Sequence, residues 1–91
     1  MKTIHTKRKE LITERLTAAF APTFLEVVDE SHKHIGHAGA KMGASHFAII
    51  IESIRFQNLT LVKRHQMIYD VLHDLIPQEI HALKITARCP E

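Results

Sequence analysis

The sequence predicts an α+β fold, ordered α-β-β-α-β, in which two helices cover one face of a three-stranded mixed sheet as a two-layer sandwich. Three observations predict it. Two stretches place apolar residues at helical spacing, and each runs into a proline. Three other stretches carry strand-forming residues or alternate apolar with polar. The second helical stretch lies between two of these strands, where a crossover connection favours parallel, right-handed pairing.

In the first helix, Ile4, Leu11, Ile12, Leu16, Ala19 and Phe20 recur at helical spacing, with Lys7, Arg8, Lys9, Glu14 and Arg15 between them. Residues 4–20 are therefore read as an amphipathic helix, capped by Thr3 or Thr6 and stopped by Pro22. Phe24–Ser31 follows as a strand, with Leu25 and Val27 on one face and Glu26, Val28 and Glu30 on the other. Ser45–Ile54 is the clearest strand, with Phe47, Ile49 and Ile51 sharing a face. It is expected to pair antiparallel with the first. After Gln57-Asn58 a second apolar period runs through Leu61, His65, Ile68, Leu72 and Leu75. Thr60 caps this helix and Pro77 ends it, giving a span of 61–76, with a short helical turn expected around Pro77–Glu79. Ile80–Arg88 then alternates His81, Leu83, Ile85 and Ala87 against Ala82, Lys84, Thr86 and Arg88, as a half-buried strand does.

Composition narrows the class. A chain of 91 residues buries roughly 60–65% of its extended-chain surface, enough for one modest core, so residues 1–91 are read as a single domain. Apolar residues are 45% and charged residues 24%, a globular balance and not a disordered one. The longest uncharged apolar stretch, Phe47–Ile51, is far short of a membrane span, and Met-Lys-Thr-Ile-His at the start carries no apolar leader region. A small cytoplasmic domain with no membrane partner is expected, monomeric on its own because no coiled-coil pattern appears. Cys89 is the single cysteine, which excludes an internal disulfide and any four-thiolate metal site built by this chain alone. A formal charge of +2 is too small to argue nucleic-acid binding by itself. The 8 histidines are the better lead.

Three of them, His32, His34 and His37, lie with all three glycines between the first two strands, in a connection far longer than a hairpin needs. A flexible backbone can turn two imidazoles such as His34 and His37 towards one zinc, iron or copper ion; the alternative is a solvated loop with incidental histidines. His81 opens the third strand in phase with Leu83 and Ile85, where a half-buried, backbone-bonded histidine is the ordinary outcome. If that strand borders the mouth of the long connection, His81 and a loop histidine face one site. His46 is either exposed or packed near His81. His65, on the apolar stripe beside Arg64, is read as a core or capping residue, and His5 and His73 as helix-surface residues. Cys89 is read as an idle thiol near the terminus. Ser45 and His46 are neighbours on a strand and point apart, which is wrong for a nucleophile and its base. Gly36-His-Ala-Gly39 lies between strands, without the strand-to-helix turn a phosphate loop requires. No enzyme is expected.

Taken in order, Leu25-Glu-Val-Val-Asp-Glu-Ser31, Gly36-His-Ala-Gly-Ala40, Ser45-His-Phe47, Arg64-His65 with Ile68-Tyr69, and Ile80-His-Ala-Leu83 resemble the BolA family over nearly the whole chain. The resemblance implies a fold akin to the type II KH domain, in agreement with the order above. It also implies two roles. Many BolA-like proteins pair with a monothiol glutaredoxin and share a 2Fe-2S cluster with it. The family's C-terminal histidine falls on His81, and its loop ligand, Cys in one subgroup and His in another, falls on His34 with His37 as competitor. With no Cys in the loop, the chain looks like the histidine subgroup. Such a cluster needs four ligands, so the sulfurs must come from a glutaredoxin cysteine and glutathione, and no cofactor is expected in the isolated protein. Two imidazoles on one iron is the Rieske arrangement.

The other implied role is DNA binding, as in bacterial family members described as regulators of stress and morphology genes. Arg55, Lys63, Arg64 and His65 gather near the start of the second helix, where a helix N-terminus and nearby cations suit phosphate. The bland alternative is a solvated basic patch balanced by Asp70, Asp74 and Glu79. The chain departs from the family at Asn58, commonly Gly, and at Gln66 in Arg64-His65-Gln66, commonly Arg. Asn tolerates the left-handed backbone a turn needs. Gln66 removes one cation from the phosphate-binding reading and leaves the cluster reading untouched.

Overall fold

The computed structural model describes residues 4–30, 46–76 and 80–91. Helix α1 (Ile4–Phe20) leads into strand β1 (Phe24–Asp29); strand β2 (His46–Glu52) passes through a 3-10 turn (Ile54–Phe56) into helix α2 (Leu61–Leu72). A second 3-10 turn (His73–Leu75) precedes strand β3 (Ala82–Arg88). The sheet order is β1-β2-β3, with β1 antiparallel and β3 parallel to β2. The predicted fold class holds, element for element. The expected turn over 77–79 and the connection over 31–45 lie outside the described residues.

The central strand sets the layering. Along β2, Phe47, Ile49 and Ile51 are buried and alternate with half-buried residues. Pairing puts Leu25 opposite Ile51 and Val27 opposite Ile49 on one side, and Leu83, Ile85 and Ala87 opposite Phe47, Ile49 and Ile51 on the other. Ile12, Leu16 and Phe20 of α1 and Ile68 and Leu72 of α2 close over this face. Phe20 and Phe56 meet with ring centres 5.0 Å apart. Burial of each large side chain contributes about 1.5–3 kcal/mol, so the core dominates the stability of the domain. No described helix is long and apolar enough to cross a membrane.

The ends of the elements follow local chemistry. The Thr60 hydroxyl accepts from the Lys63 N–H at 3.1 Å, as a helix cap does. Asn58 adopts φ 65°, the left-handed turn that Asn tolerates. Ala21 also has positive φ, 43°, where its N–H closes α1 on the Thr17 carbonyl at 3.0 Å just before Pro22.

Helix α2 is shorter than the apolar period suggests. It tightens to a 3-10 turn at His73, and Ile76 is extended (φ −103°, ψ 133°), the conformation that the following Pro77 demands. Leu61 and Val62, at its other end, are 64% and 68% exposed. Among the described residues the predicted strands are shortened: β1 ends at Asp29, β2 ends at Glu52, and β3 begins at Ala82.

Arg15 of α1 clasps Asp74 after α2 in a two-pronged ion pair, with Nη2 donating to Oδ2 at 2.8 Å and Nη1 donating to Oδ1. This pairing holds the Asp74 carboxyl at about 2, below its ordinary 3.8. A depressed carboxylate stabilises the fold above its unfolded pKa and loses that contribution as pH falls through the folded one. Thermal midpoints of wild type and Asp74→Asn should therefore differ by a constant amount above pH 5 and converge between about pH 4 and 2. A gap that persists unchanged at pH 2 would exclude this ion pair as the source.

Candidate functional site

Both edges of β2 are paired at its first residue. The Glu30 N–H donates to the His46 carbonyl at 2.8 Å, and His46 stands opposite Ala82 in the parallel register with β3. Because Phe47 must face the core, His46 projects to the face of the sheet without helices. His81 lies in the bend before β3, between the buried Ile80, whose N–H donates to the Leu75 carbonyl at 2.9 Å, and the paired Ala82. The two imidazoles come together there, ring centres 5.2 Å apart and planes inclined by 51°. Of the alternatives for His46, packing beside His81 is the one found.

His81 departs from the expectation of a half-buried, backbone-bonded ring. It is exposed and makes no hydrogen bond with other described residues, because β3 pairing begins one residue later and strand phase does not govern it. The residues 31–45 connect β1 to β2 at this same end of the sheet, so the third strand does border the mouth of the long connection. His34 and His37 lie outside the described residues. Among the described residues, no group of three or more His, Cys, Asp or Glu side chains is arranged to hold a metal ion. Cys89 is half-buried at the opposite end of β3, roughly 26 Å from His81 at the rise of a strand. His65 is half-buried on α2, and His73 is exposed, its Nδ1 2.8 Å from the Asp70 carbonyl.

The four basic-end residues divide. Arg55 and Lys63 are exposed. Arg64 is half-buried, its Nε donating to the Leu59 carbonyl at 3.1 Å and its Nη1 to the Ala87 carbonyl at 3.0 Å. It braces the start of α2 against the end of β3. Sequence reasoning missed that role, since only the crossover geometry brings Ala87 beneath the helix.

Two further polar groups at this end went unread for the same reason. Ser53 is fully buried: its hydroxyl donates to the Phe20 carbonyl at 2.7 Å and accepts from the Arg55 N–H at 3.1 Å, while its own N–H reaches the Arg88 carbonyl at 2.9 Å. Glu52 accepts from the Thr23 hydroxyl at 2.7 Å and from Arg88 Nε at 3.2 Å, and these bonds hold its carboxyl below the ordinary range. Arg88 also lies 5.5 Å over the Phe24 ring.

The geometry thus separates two candidate sites, an imidazole pair at the start of β2 and β3 and a cationic end where the strands finish. Arg64→Ala removes charge-assisted bonds to two carbonyls, and is expected to lower unfolding stability by about 1.5–3 kcal/mol. Arg55→Ala and Lys63→Ala should stay within about 0.5 kcal/mol of wild type by chemical denaturation. Equal effects of all three would contradict the bracing role.

Comparison with known proteins agrees with the fold and the motif order. Residues 16–91 match the family model described as BolA-like protein. The chain is 44% identical over 77 residues to the DNA-binding transcriptional regulator BolA of Escherichia coli (strain K12), across 85% of this chain and 70% of that one. It is 43% identical over 84 residues to SufE-like protein 1, chloroplastic/mitochondrial, of Arabidopsis thaliana, across 87% of this chain and 23% of that longer protein. The solved BolA domain of SufE1 from Arabidopsis thaliana superposes with a TM-score of 0.81 at 43% identity, over 91% of this chain and 92% of that one.

Proposed function

The chain belongs to the BolA-like protein family, and on that premise we propose that it is a non-enzymatic adaptor that pairs with a monothiol glutaredoxin and shares a 2Fe-2S cluster with it. The observation that carries the reading is the exposed His81 ring beside His46, at the end of the sheet where residues 31–45 join β2. Imidazole suits iron, and neutral nitrogen donors on one side of a cluster complement thiolates supplied from the other. His81 serves as one ligand on this chain, with His34 or His37 from the connection as the loop ligand. A glutaredoxin cysteine and glutathione supply the sulfurs. When bound, the cluster would supply electron-transfer or iron-sensing capacity; the chain's own contribution is to present an imidazole nitrogen on an anchored strand end.

A second reading is a DNA-binding regulator of stress and morphology genes. Two observations support it: the name carried by the Escherichia coli relative, and the exposure of Arg55 and Lys63 beside the first turn of α2. Arg64 contributes less to it than its charge suggests, since two of its donors already serve main-chain carbonyls. His65 is half-buried one position on.

Titration into a 2Fe-2S-loaded monothiol glutaredoxin, followed by visible circular dichroism, tests the leading reading. A new spectrum saturating at about one-to-one and abolished by His81→Ala, but preserved in Lys63→Ala, is expected. An unchanged spectrum with no heterodimer by native mass spectrometry removes this reading. DNA affinity that falls steeply with salt and drops in Lys63→Ala would then favour the second.

A further inference from the structure

We infer that His46 is a metal-binding imidazole, and that His46 and His81 together form a half-site for a single borderline divalent ion of the zinc, cobalt(II) or iron(II) class. The inference takes only His81 from the reading above and does not use the loop histidines or the glutaredoxin. Spacing is the first argument. Two imidazoles bound through one nitrogen each to a tetrahedral ion, with bonds of roughly 2.0–2.1 Å, have ring centres about 5 Å apart. The observed separation is 5.2 Å, and the planes are inclined by 51° and not stacked.

Anchoring is the second. His46 is held on the central strand from both sides, by the Glu30 N–H and by the register with Ala82. His81 is held between buried Ile80 and paired Ala82. Two ligands whose backbones are already fixed need little ordering when an ion binds.

Access is the third. The His81 ring is exposed, and His46 lies on the sheet face that no helix covers. With no third ligating group placed among the described residues, two positions on a tetrahedral ion remain for water or for ligands of a partner.

The test uses cobalt(II), titrated into the isolated full chain and followed by visible absorption and by paramagnetic broadening of histidine ring signals. Binding is expected, weakened at least about tenfold by His46→Asn and by His81→Asn. The His34→Asn/His37→Asn double variant should bind as wild type does. Absence of binding, indifference to His46→Asn, or loss in the loop double variant overturns the inference. Should His46→Asn unfold, the wild-type spectra decide: broadening of the His46 and His81 rings supports the site, and a sharp His46 signal beside broadened loop histidines overturns it. Because no glutaredoxin is present, a failed cluster titration leaves this result standing. A chain that ignores cobalt yet forms the cluster-bridged complex overturns this inference alone.

Discussion

The register of β2 is the constraint on which the rest depends. Its buried residues Phe47, Ile49 and Ile51 must face the helices, and the pairing on both sides carries that choice to Leu25 and Val27 in β1 and to Leu83, Ile85 and Ala87 in β3. A slip of one residue would turn His46 into the core and Phe47 to solvent, at a cost of several buried side chains. The face on which His46 stands is therefore enforced by the core, and His81, in the bend just before Ala82, meets it there. The position of His46 at the strand start is a by-product of apolar alternation in the middle.

The two ends of the sheet are built differently. Where the strands finish, Ser53, Arg64, Glu52 and Thr23 spend their donors and acceptors on one another and on the main-chain carbonyls of Phe20, Leu59 and Ala87. Among the described residues no buried side-chain nitrogen or oxygen lacks a partner. Such a satisfied network holds elements in place and leaves little chemistry over. Where the strands start, the exposed His81 ring stands on anchored backbone beside His46. The metal binding proposed for one end and the cation-dependent contacts proposed for the other are consequently separable by single substitutions.

Much of this was legible in the sequence because it is written in local periods. The apolar alternation of Phe47, Ile49 and Ile51, the Thr60 cap and the turn at Asn58 each follow from a few neighbouring residues. The motif order also pointed to the right family. The sequence could not specify which polar residues meet across elements. Arg15 with Asp74, Arg64 with Ala87 and Ser53 with Phe20 are joined by helix placement over the sheet, which no spacing encodes. His81 was misjudged for a related reason: strand phase was extended one residue beyond the ladder, whose first parallel pair is His46 with Ala82. His34 and His37 lie outside the described residues.

The central claim is that the β2 register and the bend before β3 together place the His46 and His81 rings side by side before any metal or partner arrives. Nuclear Overhauser effects between the two rings, measured on the isolated, metal-free chain with labelled histidine, test it most directly. The account predicts a ring-to-ring cross-peak, with strand contacts between Phe47 and Leu83 in the same spectrum. Those strand contacts without the ring cross-peak would contradict it, since the sheet would then be formed and the imidazoles apart.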